Sequence, residues 1–347
     1  MILTKLRLSQ FRNSGDSTYL FDPLLTVVVG DNARGKTNLL EAVYVCVRGV
    51  GFRETREEEL IQFGSNSTMV EGEFSDSVNT LHARVTISRS ENYVSKSYAV
   101  EKAHKRLAQY KELLPSVVLF SPEQIIMITH EPRLRRTFLD DAIGSVDREY
   151  IRKVKNYEQA LRRRNKVLEM GSNKKTLYEE LQFWNTYLVE QASYITEKRR
   201  MFVLFLNSHP HIDSRKIRVE YVPNEYSLKR AQEIFEREMY ARKTLIGPQK
   251  DDFRVMLCGN PDKNVHHFGS RSEQRLAVLW LKRNELRFIE SESKQKPILL
   301  LDDIFSEFDI KNKKLVMGLI TEYQTVLTTT EVIVSQFAKT SLKIIQL

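Results

Sequence analysis

Two features are scarce in this sequence, cysteine and long apolar runs. Cys46 and Cys258 are the two cysteines among 347 residues, so the chain can build neither a disulfide framework nor a cysteine-based zinc site. The absence of such a framework is typical of a reducing compartment. The first residues lack the apolar core of a signal peptide, and no segment approaches the roughly 20 apolar residues of a membrane helix. We therefore expect a cytoplasmic protein without a membrane partner.

Positive charge is in excess. Lys and Arg total 54 against 45 acidic residues, which gives a net charge of +9 and a pI near 9.3. This balance favours a polyanionic partner such as nucleic acid, although a basic pI alone does not identify one. Hydrophobic residues make up 41% of the chain, an ordinary globular composition, and the length suits one large or two modest domains.

One glycine-containing stretch predicts a phosphate-binding loop. Residues 30–37 follow the pattern G-x-x-x-x-G-K-[ST], after the apolar residues 26–29 and before a helix-like segment. In such a loop the backbone N–H groups and the positive end of the helix attract phosphate. The alternative is a glycine turn with a solvated lysine. We expect Lys36 to reach the β- and γ-phosphates of ATP and Thr37 to bind Mg²⁺, within a binding loop formed by Gly30, Asp31, Asn32, Ala33, Arg34, Gly35, Lys36, Thr37 and Asn38.

A second apolar segment ends in two acidic residues, Asp302 and Asp303. A bare apolar run is equally typical of a core strand. In a chain that also has a phosphate loop, the pattern favours the Walker B strand of an ATPase. Asp302 would order the Mg²⁺ shell, and Asp303 would polarise the attacking water. We therefore assign the catalytic roles to Asp303 and Lys36.

A short segment before the apolar run at 276–281 allows two interpretations. Its serines lie at the start of a predicted helix, where serine commonly caps the helix. The same hydroxyl and N–H groups would also suit a γ-phosphate that a partner molecule supplies. For this second role we assign Ser270, Ser272, Glu273 and Gln274.

Apolar residues at helical spacing predict an antiparallel helical hairpin at about 145–206, with a polar turn at 171–175. Its predicted outer face is strongly basic. Such a face is commonly only solvated, but on a basic chain with a phosphate loop it supports DNA contact as a hypothesis. The residues of this face are Lys153, Lys155, Arg162, Arg163, Arg164, Lys166, Lys198, Arg199 and Arg200, and we choose Arg162, Arg163, Arg164 and Lys166 as DNA contacts.

Two further segments complete the pattern. Residues 69–100 alternate apolar and polar positions, which predicts an antiparallel meander. The charged segment after the phosphate-loop helix contains Arg53 and Arg56. These arginines could contact the nucleotide, or they could pair with the acids at 57–59, and we favour the second interpretation.

Taken together, these segments resemble the RecF family of the SMC-like branch of the ABC ATPases. The similarity runs nearly end to end, and the combination of segments is specific where any single one is not. The similar segments are residues 6–13, 35–42, 52–53, 59–61, 121–123, 135–140, 247–252, 301–303 and 328–330.

The resemblance implies an α/β fold, an ABC-type (SMC-like) P-loop ATPase head with an inserted helical lobe. The ATPase lobe I would begin at 1–118 with the Walker A loop and the meander. Lobe II would span 119–269, and 270–347 would carry the signature helix, Walker B and the return to the lobe I sheet. In an ATP-dependent homodimer, Ser270 of one head would face the γ-phosphate held by Lys36 of the other.

The resemblance also implies a function. Such proteins bind single-stranded and double-stranded DNA at gaps and junctions, act as weak DNA-dependent ATPases, and work with RecO and RecR to place RecA on DNA during repair, replication restart and the SOS response. Ser272, Arg34 and Glu331 depart from the family pattern, and they bear on hydrolysis and trans engagement more than on nucleotide binding.

Four other classes of protein share part of this pattern. A small-molecule kinase is the weakest of them, since no segment indicates a second substrate pocket. A structural SMC ATPase needs long coiled-coil arms, which the short hairpin does not provide. A nuclease-related ABC ATPase needs a metal-binding domain, for which the segment after Asp303 is too short. A nucleotide-gated DNA clamp without significant hydrolysis stays open.

Overall fold

A computed structural model describes residues 1–53, 56–91, 93–170, 174–306, 308–330 and 342–347. Glu331 and residues 171–173 of the expected hairpin turn lie outside the described residues. In chain order the strands are β1 (Ile2–Ser9), β2 (Ser17–Leu20), β3 (Leu25–Val29), β4 (Ser67–Ser75), β5 (Thr80–Arg89), β6 (Val94–Val100), β7 (Ala103–Lys105), β8 (Val117–Phe120), β9 (His211–Ile212), β10 (Arg215–Val222), β11 (Asp252–Leu257), β12 (Lys263–Asn264), β13 (Ile298–Asp302), β14 (Thr325–Thr329) and β15 (Leu342–Gln346).

The helices fall mainly in the middle of the chain. In order they are α1 (Lys36–Arg48), α2 (Leu107–Glu112), α3 (Ile126–Thr129), α4 (Pro132–Gly144), α5 (Arg148–Met170), α6 (Lys174–Ser208), α7 (Leu228–Glu233), α8 (Phe235–Ala241), α9 (Val265–Phe268), α10 (Arg271–Ser293) and α11 (Ile310–Ile320). No helix in the described part of the chain combines the length and the apolar character needed to cross a membrane.

The chain forms two compact units. Unit 1 comprises Met1–Glu123 and Ile289–Leu347, and unit 2 comprises Gln124–Phe288. The division into lobes at 1–118, 119–269 and 270–347 stays a prediction about how the chain is organised for function.

An antiparallel sheet in unit 1 has the strand order β2-β1-β4-β5-β6-β7. The meander predicted for residues 69–100 is confirmed, because β4, β5 and β6 pair antiparallel in sequence. Alternate residues of each strand point to one face, and on this sheet the apolar set is buried. It includes Leu3, Leu6, Val70, Phe74, Val85 and Ile87, which join residues of α1 in one core.

The second sheet of unit 1 is entirely parallel, with the order β15-β3-β14-β13-β8. Its inner strands β3, β13 and β14 are almost continuously buried, as expected for a parallel sheet covered on both faces. The carboxyl ends of parallel strands meet at one edge. This edge therefore brings together the loop after β3, the acids at the end of β13 and the threonines at the end of β14.

Unit 2 contains the helical hairpin and a small antiparallel sheet of order β12-β11-β10-β9. The hairpin consists of α5 and α6, residues 148–170 and 174–208, close to the predicted range of 145–206. Lys153 pairs with Glu190, and Arg164 contacts Asn185. The partner number falls as the α5 number rises, so the two helices are antiparallel.

Two sequence segments behind the family resemblance meet in the core of unit 2. Arg135 forms a bidentate ion pair with Asp252, through Nε–Oδ1 at 2.6 Å and Nη2–Oδ2 at 3.1 Å. Arg199, almost fully buried, binds Asp140 and Asp251, each at 2.8 Å. The sequence analysis placed Arg199 on the outer face of the hairpin, and this prediction is wrong, because Arg199 is buried. These segments, 135–140 and 247–252, form the core that anchors the hairpin.

Candidate functional site

The phosphate loop connects β3 to α1 at the carboxyl edge of the parallel sheet. Gly35 has a φ of 101°, a conformation that glycine adopts at little cost. Lys36 is buried, and its ammonium donates to the carbonyls of Gly30 at 2.7 Å and Asp31 at 2.9 Å. The first turn of α1 contains no acidic residue. The positive end of this helix is therefore not offset by a carboxylate of its own.

The acidic end of β13 lies against the same loop. The Thr37 hydroxyl donates to Asp302 Oδ1 at 3.0 Å, and the Thr328 hydroxyl donates to the same oxygen at 2.7 Å. Thr328 also accepts from the N–H of Asp303 at 3.0 Å. The structure thus joins the predicted magnesium residues Thr37 and Asp302. Sequence reasoning noted the threonines at the end of β14 but did not assign Thr328 to the site.

A pocket of about 260 Å³ lies between these elements. It contains residues from the phosphate loop, both acids of β13 and the end of β14. Among the described residues, Gly30, Asp31 and Arg34 of the predicted loop do not line it, and the first two instead hold the Lys36 ammonium. The lining residues are Asn32, Ala33, Gly35, Lys36, Thr37, Asn38, Arg53, Asp302, Asp303 and Thr328.

Arg53 belongs to this pocket, and the expectation that it pairs with the acids at 57–59 is wrong. Its guanidinium pairs with the buried carboxylate of Glu41 at 3.1 Å and also donates to Asn38. Arg12 holds the same carboxylate through two bonds of 2.6 and 3.0 Å. Burial acts to raise the pKa of Glu41, but the hydrogen bonds and charges of Arg12 and Arg53 outweigh it, so the pKa is lowered. An ionised Glu41 therefore fixes a cation at the pocket wall. Arg56, by contrast, does lie 3.7 Å from Glu58.

The predicted signature residues lie in unit 2 at the start of α10. Ser270 Oγ accepts from the N–H of Glu273 at 3.3 Å, and Glu273 accepts from the N–H of Ser270 at 2.8 Å. This reciprocal pair is a capping box, so the capping interpretation holds. Lys263 donates to both oxygens of Glu273, at 2.7 and 2.8 Å. Ser270 and Ser272 are exposed, whereas Gln274 is buried.

The predicted DNA contacts separate into two groups. Arg162, Arg163 and Lys166 are exposed on α5, but Arg164 is fully buried. Arg164 donates to Asn185, Thr244 and Glu238 at 2.9, 2.7 and 2.6 Å. The assignment of Arg164 to an outer face is therefore wrong. It lies on the buried face of the helix, together with Tyr157, Ala160 and Leu168.

The sequence is similar to known proteins over almost its whole length. Residues 2–346 match the family model described as the RecF/RecN/SMC N-terminal domain. The "DNA replication and repair protein RecF" of Ligilactobacillus salivarius is 33% identical to this chain, over 95% of the chain and 91% of that protein. The protein of the same name from Geobacillus thermodenitrificans is 32% identical, over 96% and 93%. This chain belongs to the RecF family.

Solved structures support the fold. One described as "Structure of the recombination mediator protein RecF-ATP in RecFOR pathway" is 25% identical, with a TM-score of 0.83 over 95% of this chain and 92% of that one. An SMC head bound to the C-winged helix domain of ScpA is 16% identical, with a TM-score of 0.54 over 96% and 90%. The fold class predicted from sequence, an α/β head of the SMC-like ABC ATPases, is confirmed.

Proposed function

We propose that this chain is an ATP-binding DNA-repair protein and an ATPase, which holds DNA as an ATP-dependent dimer. The observation that carries the proposal is a pocket in which the phosphate loop meets Asp302 and Asp303. These two segments are more than 260 residues apart in sequence, since Thr37 and Asp302 are separated by 265 positions. Their convergence supports the Walker A and Walker B assignments.

The residues present suit a magnesium nucleotide. The loop offers backbone N–H groups, the Lys36 ammonium and a helix end with no acid in its first turn, all of which favour a polyphosphate. Thr37 and Asp302 bring a hydroxyl and a carboxylate oxygen together, ligands that Mg²⁺ accepts alongside phosphate and water. Bound Mg²⁺ would neutralise charge on the phosphates. Asp303, the residue after Asp302, also lines the pocket. It would accept a proton from the attacking water.

Exposure of Ser270 and Ser272 supports a dimer in which each signature segment completes the other protomer's site. Ser270 Oγ accepts a bond within its own capping box but keeps its O–H proton to donate to an anion. Lys263 also offsets the negative charge of Glu273 beside it.

The DNA surface that we propose is one face of α5, here called the α5 basic stripe. Its residues recur at spacings of three, four and seven and are all exposed, so they share one side of the helix. At about 1.5 Å per residue the stripe is roughly 27 Å long, which suits contact with successive phosphates. Its members are Arg148, Arg152, Lys155, Arg162 and Lys166, with Arg163 at its edge.

The proposed role in the cell follows from the relatives. The solved relative is described as a recombination mediator of the RecFOR pathway. We propose the same role here, in the cytoplasm, with gapped DNA as the substrate, RecO and RecR as partners and RecA loading as the outcome. Salt-sensitive DNA binding with little base preference is part of this proposal.

Sedimentation of the purified protein tests the central claim. We expect a dimer that forms with ATP and Mg²⁺ and travels with gapped DNA. In Asp303→Asn the dimer should persist while ATP hydrolysis, measured as the rate of ADP formation, slows at least about 100-fold, because a positioned general base contributes that much. A monomer under all conditions would contradict the dimer. If the unchanged protein and Asp303→Asn form ADP at the same very slow rate, the protein is instead a DNA clamp without useful hydrolysis.

Neutralising three exposed cations of the stripe tests the DNA surface. Changing Arg162, Arg163 and Lys166 to glutamine should weaken DNA binding and reduce the slope of log K against log salt by about 2–3, at roughly 0.9 per phosphate contact. The matched control removes equal charge from other exposed positions of unit 2, Lys229, Arg237 and Lys243, and should keep the slope. If both triple variants behave alike, the stripe is only a solvated face.

A further inference from the structure

The edge strand β15 runs beside β3 up to the start of the phosphate loop. The two strands are parallel and in register from Leu342 opposite Leu25 to Gln346 opposite Val29. One residue further, the N–H of Leu347 donates to the Val29 carbonyl at 2.9 Å. Leu347 therefore lies beside Gly30, the first residue of the loop.

This neighbour leaves little space at position 30. Gly30 is not among the glycines with positive φ, so its backbone conformation does not demand glycine. A Cβ added at Gly30 would lie 2.8 Å from the Leu347 carbonyl oxygen, closer than real Cβ contacts. Gly35 differs, because its φ of 101° favours glycine for conformational reasons. The close approach of β15 thus sets the space available to the loop.

The position of Gly30 in turn sets the position of the catalytic lysine. The Gly30 carbonyl accepts the Lys36 ammonium at 2.7 Å. A shift of the Gly30 backbone away from Leu347 would move that acceptor and the ammonium that it holds. Contacts therefore run without a gap from the end of β15 to the cation that faces the pocket.

We infer that the Leu347 carbonyl limits position 30 to glycine, so that the phosphate loop keeps the backbone path that holds Lys36 at the pocket. This inference rests on the proposed ATP site. The clash between a Cβ at position 30 and the Leu347 carbonyl concerns the folded chain alone. Its effect on the melting temperature can be measured without nucleotide.

A double-mutant cycle tests the contact. Gly30→Ala should lower the melting temperature, because overpacking destabilises the fold. It should also weaken ATP binding about tenfold, because the displaced Gly30 carbonyl no longer holds Lys36 in place. Deletion of Leu347 alone should change either property little. The combination of the two should restore most of the ATP affinity, because the clashing carbonyl is gone. Combining Gly30→Ala with Leu347→Gly should not restore it, because that carbonyl remains.

Two further comparisons make the result decisive. Gly15→Ala is the matched control, since an added Cβ there meets nothing within 4 Å and its φ is not positive. It should behave as the unchanged protein. The inference is overturned if Gly30→Ala binds ATP normally, or if its defect persists after Leu347 is deleted. If the unchanged chain binds no ATP, the proposed function fails, and the melting-temperature cycle still decides whether Leu347 constrains Gly30.

Discussion

Replacing Lys36 by methionine is expected to weaken ATP binding by roughly 10- to 150-fold and to abolish the ATP-dependent dimer. The reason is that methionine removes a cation whose ammonium is held at the pocket by the carbonyls of Gly30 and Asp31. Hydrogen bonds to a charged group contribute roughly 1.5–3 kcal/mol each, and 1.4 kcal/mol corresponds to about tenfold in Kd. Titration with a fluorescent ATP analogue measures the affinity, and sedimentation measures the dimer.

The control for this variant is Lys102→Met, which removes an exposed lysine of unit 1. It should bind ATP normally. Circular dichroism of Lys36→Met should match the unchanged protein, so that a loss of binding reports on the site and not on unfolding. A dimer yield equal to that of the unchanged protein would contradict the trans arrangement, because the partner's signature segment would then engage without a correctly held nucleotide.

The features that sequence predicted well are those encoded locally. The phosphate loop is a contiguous pattern between a strand and a helix, and the meander shows as alternation within each strand. The meeting of Thr37 with Asp302 was also predictable although the residues are distant, because both follow buried strands. Buried strands of this kind belong to parallel sheets, whose carboxyl ends share one edge.

The features that sequence missed depend on partners from distant segments. Arg53 lies close in sequence to the acids at 57–59, yet the chain turns at Gly49, which has a φ of 72°, and Arg53 packs on Glu41 of the preceding helix. The roles of Thr328 and of Leu347 follow from the order of strands in the sheet. That order is not contained in any local pattern.

Arg164 shows the same limit within a helix. The three adjacent arginines at 162–164 looked equivalent, but neighbouring residues on a helix point in directions about 100° apart. Only one of the three therefore faces the core. What makes an arginine acceptable there is the combination of Glu238 and Thr244, which lie 74 and 80 positions later in the chain.

Arg164→Met is accordingly expected to destabilise the protein without acting on DNA directly. The variant leaves the fully buried Glu238 carboxylate without its ion pair at 2.6 Å. Breaking one side of a buried pair costs roughly 3–5 kcal/mol. At about 2–4 °C per kcal/mol for a unit of this size, the melting temperature should fall by roughly 6–20 °C. Differential scanning calorimetry measures it.

Two companion variants separate burial of a charge from loss of an arginine. Arg162→Met makes the same change at an exposed site two residues away and should alter stability by less than about 0.5 kcal/mol. Arg164→Met combined with Glu238→Leu removes both charges and should recover much of the lost stability, since an apolar replacement of a buried pair is often neutral. At temperatures where it is folded, Arg164→Met should keep the salt slope of DNA binding. A flattened slope with an unchanged melting temperature would place Arg164 on the DNA surface after all, and would contradict the burial that separates it from the α5 basic stripe.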